Sequence, residues 1–165
     1  AEQVSSQKNK TVSLTIPAGV DSGKRITIPR QGDAGANGGP AGDLIVVIHV
    51  ESHEYFERDG QDLYCAVPIS IAQAALGCDI QIPSLDDKKI TLKVAAGTQN
   101  GKLLRIKGEG VPITGSNKKG DLYVKIMVQI PQKLSSKEKE FLQKYLEAEN
   151  PTKEPKLMKL SELSR

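Results

Sequence analysis

The chain has 165 residues, with 23 basic and 20 acidic side chains leaving a net charge of +3, and only six aromatic residues. Charges of both signs alternate along it and the aromatics are not interleaved with Arg and Lys, so a base-stacking, phosphate-binding surface is excluded as the leading reading. No apolar run approaches the roughly 18 residues of a membrane span, and no basic-then-apolar leader opens the chain. The expectation is a cytoplasmic protein with neither membrane nor nucleic acid as partner. A start at Ala1 says nothing of what precedes it. Cys65 and Cys78 lack the C-x-x-C spacing that wraps zinc, so no metal site is expected.

In chain order, Val12, Leu14 and Ile16 alternate with polar residues as a half-buried strand does. Turn signals follow at Asp21-Ser22-Gly23 and in the stretch containing Asn37-Gly38-Gly39-Pro40. Leu44, Val46, Ile48 and Val50 then repeat the period of two. A segment from Glu51 to Asp62 carries Glu57, Arg58, Asp59, Gly60 and Asp62. It lacks the 12-residue pattern of a calcium loop, so a tight turn with an Arg-Asp pair is expected. His49 and His53 have no companion ligands, nucleophile or base near them.

Ser70 and Gln73 have capping-box spacing, which predicts a short helix over Ile71 to Leu76 stopped by Gly77. Ile90, Leu92 and Val94 form another alternating strand, followed by a turn at Asn100-Gly101. Gly108-Glu109-Gly110 is a turn, because no strand-loop-helix order with G-x-G-x-x-G surrounds it. Leu122, Val124, Ile126 and Val128 alternate once more. Ser135 with Glu138 opens a second capped helix that Asn150-Pro151 ends. Phe141, Leu142, Tyr145 and Leu146 make its apolar stripe, which either covers its own sheet or meets another subunit. Beyond Pro151 the chain reads as polar and loose.

These elements repeat. The stretch from Val12 to Val50 aligns without gaps on Ile90 to Val128 at an offset of 78, with 13 of 39 positions identical. The identities include Gly19 with Gly97, Gly23 with Gly101, Gly32 with Gly110, and Gly42-Asp43-Leu44 with Gly120-Asp121-Leu122. Glycines recurring between alternating segments mark repeated turns, so two copies of one β unit are expected. The fold class is mostly β: two tandem, small β-sandwich-like domains, residues 1 to 53 and 54 to 131, then a helix and tail over 132 to 165.

The phrases IPAGVDSGKRI, GPAGDLIVVIHV, HEYFERDGQDLYCAVPISIAQAALG, LKVAAGTQNGKLLRIKGEGVP and KGDLYVKIMVQIP, in this order, resemble the C-terminal region of DnaJ-type J-domain co-chaperones. The resemblance runs from about residue 11 to 150. It implies two β-rich domains followed by a dimerisation helix, binding of unfolded polypeptide by the first domain, and delivery to a DnaK-type ATPase chaperone. Neither the His-Pro-Asp motif of a J domain nor the four C-x-x-C-x-G-x-G repeats that bind zinc occur in this sequence. The first domain is therefore expected to be truncated, and zinc to belong only to a full-length protein that carries the cysteine-rich insertion. Cys78 stands where the family commonly has a second Gly. The resemblance places Val12 and Val46 in the substrate groove and assigns Phe141, Leu142, Tyr145 and Leu146 to a homodimer contact. No catalytic residue and no cofactor are expected. Two readings of other classes compete: a structural or adhesive dimerisation module, and a hydrolase whose nucleophile and base are not recognisable in the sequence.

Overall fold

The computed structural model describes residues 11–35, 38–149 and 154–164 and shows eight strands and two helices among them. Strand β1 (Arg25–Ile28) pairs antiparallel with β2 (Leu44–Val47). Strands β3 (Glu57–Asp59), β4 (Asp62–Ser70), β7 (Leu103–Ile106) and β8 (Leu122–Gln129) make a four-stranded sheet of order β3-β4-β8-β7, in which β4 and β8 run parallel. Helix α1 (Ile71–Leu76) leads from β4 to the antiparallel pair β5 (Cys78–Pro83) and β6 (Lys89–Val94). Helix α2 (Ser136–Ala148) and a 3-10 turn at Leu160–Ser164 complete the chain. The chain divides into two compact units, with the division between Gln129 and Ile130.

The repeat is written in hydrogen bonds. Arg25 faces Val47 and Ile28 faces Leu44 in the first copy, and 78 residues later Leu103 faces Lys125 and Ile106 faces Leu122. Gly23 donates to the Ile48 carbonyl at 2.7 Å and Gly101 to that of Ile126 at 2.7 Å. Gly32 donates to Gly42, and Gly110 to Gly120, each at 2.8 Å. Gly19 and Gly23 share positive φ with Gly97 and Gly101. Arg30 occupies the left-handed region at φ 59° where the second copy has Gly108, a conformation that costs an L-residue about 1 kcal/mol.

The shared Gly-Asp-Leu triplet has a mechanical basis. Asp43 Oδ1 accepts the Arg30 N–H at 3.3 Å, and Asp121 Oδ1 accepts that of Gly108 at 2.9 Å, so each carboxylate ties its long loop back to the start of its strand. Asp121 also takes Arg105 Nε at 2.7 Å. The Gly108 N–H first, and Arg105 after it, hold the Asp121 carboxyl below the ordinary carboxylate range against the opposing effect of desolvation. A depressed native pKa stabilises the fold above the unfolded value, about pH 4, and is lost as pH falls through the native value. Asp121→Asn should thus lower the urea midpoint at pH 7 and flatten its decline below pH 4. An unchanged acid limb in the variant would contradict the assignment.

The core belongs to the second copy. Leu122, Val124 and Ile126 of β8 are fully buried, packed with Phe56, Leu63, Ile69, Ala74, Ile82, Leu92 and Val94. Near-continuous apolar β4 buries Leu63 and Ile69 on one face and turns Tyr64 and Pro68 to the other. Pro68 is tolerated because β3 pairs only as far as Tyr64, which leaves β4 an edge at that point. The α1 capping box is made in full by Ser70 and Gln73. Gly77 ends the helix at φ 83°, where a Cβ would lie 2.9 Å from the Ala96 nitrogen.

Three expectations need correction. Val12, Leu14 and Ile16 are in no strand, although their counterparts in Ile90–Val94 lie within β6. Alternation produces a strand only beside a hydrogen-bonding neighbour, and the offset carries the β5 partner back to the first five residues, outside those described. Arg58 pairs not with Asp59 or Asp62 of its own turn but with Asp21 of the first copy, at 2.7 Å. The tail is not uniformly polar: Leu157, Met158, Leu160 and Leu163 are exposed there, the last two in the 3-10 turn. In α2 the Ser135–Glu138 capping box is present, and the helix stops at Ala148 with Glu149 as its cap. The expected terminator Asn150-Pro151 lies outside the described residues.

Candidate functional site

Among the described residues, the first copy presents the β8-equivalent surface with less cover than β8 has. Leu44, Val46 and Ile48 are half-buried, whereas their counterparts Leu122, Val124 and Ile126 are fully buried. Cover over β8 comes from β4, α1, β5 and β6. One edge of β8 is paired with β4 over eight residues, and the corresponding edge of β2 has no strand beside it among the described residues. On the opposite face Ile45 and Val47 are 56% and 59% exposed. Among the described residues this half-sheet thus offers both unpaired backbone and apolar side chains.

Val46 lies opposite Ile26 in the β1–β2 register, on the half-buried face. Val12 is half-buried in the strand-free segment after Thr11, and no ladder joins it to Val46. In the second unit, Phe141, Tyr145 and Leu146 of the α2 stripe are 57%, 61% and 65% exposed, and Leu142 is half-buried. No residue of α2 is buried.

The two copies meet at a junction that the sequence did not reveal. Arg58 donates to the carbonyls of Gly19, Val20 and Gly60 at 2.8 Å each, besides pairing with Asp21. Gly19 is packed so closely that a Cβ there would fall 1.7 Å from the Pro112 carbonyl oxygen, whereas its counterpart Gly97 has open space. His53 serves the same region as a turn cap: Nδ1 accepts the N–H groups of Tyr55 at 3.2 Å and Phe56 at 3.3 Å. Its ring packs at 4.6 Å from Tyr55 and 4.9 Å from Phe56.

Burial pushes the Cys65 thiol up, which marks a core thiol rather than a reactive one, and both cysteines are free. Among the described residues no group of three His, Cys, Asp or Glu side chains could hold a metal ion. Nor is any described helix long and apolar enough to cross a membrane.

Residues 1 to 131 match the family model of the DnaJ C terminal domain. The chain belongs to the DnaJ C-terminal domain family. It is similar to the Chaperone protein DnaJ of Treponema denticola, with 60% identity over 157 residues that cover 95% of this chain and 41% of that protein. The Chaperone protein DnaJ of Protochlamydia amoebophila is 49% identical over 150 residues, 91% of this chain and 39% of its own length. That of Bacillus velezensis is 46% identical over 140 residues, 85% and 37% respectively. The chain thus spans about two fifths of the length of these DnaJ relatives. Within this DnaJ C-terminal chain, the Gly-Asp-Leu phrases that carry the resemblance are loop ties. The related Gly60-Gln61-Asp62-Leu63 works alike, Asp62 Oδ1 accepting the Asp121 N–H at 2.8 Å.

Proposed function

We propose that this DnaJ C-terminal chain is the client-holding and dimerising part of a co-chaperone, which binds unfolded polypeptide and passes it to a DnaK-type ATPase while catalysing no reaction itself. The observation that carries the proposal is the half-sheet β1–β2, whose β2 edge is paired with no strand among the described residues and lies beside the half-buried row Leu44, Val46, Ile48. An extended client segment pairs its main chain with that edge and lays alternate side chains on the row. Folded proteins hide both features, so the binding is selective for the unfolded state without reading a sequence. The parallel seating of β4 on β8 supports the idea that a strand fits this edge.

In this reading, residues 1 to 53 are the remainder of the client-binding domain, with Val12 and Val46 in its groove, and 54 to 131 form the second β domain. Residues 132 to 165 dimerise through Phe141, Leu142, Tyr145 and Leu146, so that two grooves engage one client and gain by effective concentration. The site itself uses no cofactor, zinc belongs to the cysteine-rich insertion where a full-length protein has one, and the working compartment is the cytoplasm. Titration of the isotope-labelled chain with an extended, uncharged apolar heptapeptide tests the groove. Amide shifts should concentrate on Arg25–Ile28 and Leu44–Ile48, and shifts that spare both strands would refute it.

A further inference from the structure

The junction between the copies encloses a cleft of about 830 Å³, lined by the turn at Asp21 and Ser22, the segment from Val50 to Arg58, Leu85 and Val111. Its wall is aromatic and aliphatic: Phe56, Leu63 and Val111 are buried behind it, while Tyr55, Val50 and Leu85 are exposed. Tyr55 and Phe56 stand edge to face at 4.7 Å, so the wall is held in place by its own packing and by the His53 cap.

Its charge is one-sided. Glu51, Glu54 and Glu57 line it and, among the described residues, none is in an ion pair. Among the described residues lining it the single cation, Arg58, is already committed to Asp21 and three carbonyls. A chain of net charge +3 thus concentrates uncompensated negative charge around an apolar wall.

We propose that this cleft is a second polypeptide site, and that it takes an extended segment with basic residues flanking apolar or aromatic ones. The apolar side chains pack on Tyr55, Val50 and Leu85, and the flanking cations meet Glu51, Glu54 and Glu57. This rests on the client-holding reading for the nature of the ligand, but it uses none of the β1–β2 half-sheet. It also adds a preference that the neutral β2 groove lacks, since a groove that recognises main chain is indifferent to flanking charge.

The test is fluorescence anisotropy with a labelled pentapeptide of two leucines and a phenylalanine between terminal arginines, using the full chain. Binding should weaken at least tenfold when the arginines are replaced by glutamates, and again when salt rises from 50 to 500 mM. A Glu51→Lys, Glu54→Lys double variant, altered only at exposed positions, should show the same loss while binding an uncharged apolar peptide as before. If the double variant holds the arginine peptide within twofold of the parent, or the parent does not bind it, the cleft site is refuted. If Val46→Asp alone abolishes binding of the arginine peptide, it binds at β2, and the cleft is refuted while the client-holding reading stands. Failure of the uncharged peptide to bind, with the arginine peptide unaffected, refutes the β2 groove instead.

Discussion

Val124→Asp should leave the second β copy unfolded, whereas Val46→Asp, the same change at the repeat-equivalent position, should leave the chain folded and weaken client binding at least tenfold. Val124 is fully buried in β8 and Val46 is half-buried in β2. A carboxyl group placed in a dry core has its pKa raised by up to about 3 to 5 units, which at 1.36 kcal/mol per unit is about 4 to 7 kcal/mol. Against a total stability of about 5 to 15 kcal/mol, that removes most of the margin. At half-buried Val46 the cost is that of an ordinary substitution, about 1 kcal/mol, but the apolar row it interrupts is the one a client side chain would cover. Losing about 1.4 kcal/mol of contact there is tenfold in affinity. Thermal circular dichroism and peptide anisotropy on both variants check the pair. A Val46→Asp chain that binds the uncharged peptide like its parent would remove β2 from the groove.

Truncation after Gln132 should convert a dimer into a monomer with the β copies intact, and Tyr145→Ala should only loosen the dimer. The truncation falls close to the division between the two compact units, so the β core keeps its contacts. Phe141, Tyr145 and Leu146 remain more than half exposed. Covering what remains of such side chains is worth about half of the 1.5 to 3 kcal/mol of full burial, or about 3 to 6 kcal/mol for a stripe of four. Association costs about 4 to 15 kcal/mol, so the stripe alone is marginal. Leu157, Met158, Leu160 and Leu163 supply further exposed apolar surface in the same unit. Loss of one tyrosine ring should therefore weaken the proposed contact, and loss of helix and tail should abolish it. Sedimentation velocity at micromolar concentration distinguishes the cases: a truncated chain that stays dimeric removes α2 from this role.

Much of this architecture was legible because its signals are local or repeated. Both capping boxes sit within four residues, and two of the recurring glycine pairs, Gly19 with Gly97 and Gly23 with Gly101, recur at positive φ. The short strands β1 and β7 were less visible, since Arg25–Ile28 and Leu103–Ile106 have only four residues each, too few to establish a period. β4 escaped notice because it is apolar on both faces and reads as a continuous run. Val12 to Ile16 erred the other way, since its alternation is sound but the chain supplies it no described neighbour. The junction was the least legible feature. Arg58 reaches Asp21 across 37 residues, and nothing about either residue's local sequence specifies the other. For the same reason the segment from Glu51 to Asp62 read as a tight turn with an Arg-Asp pair rather than one wall of a cleft.

The central claim, that this chain holds polypeptide because it is unfolded, is tested most directly by giving it one client in two states. A disulfide-bonded protein that stays unfolded once reduced and carboxymethylated serves, with the same protein in its native form as the control. Anisotropy of the labelled client on titration with the full chain should rise saturably for the unfolded form and stay flat for the native one. Equal binding of both forms, or binding of neither, would contradict the account.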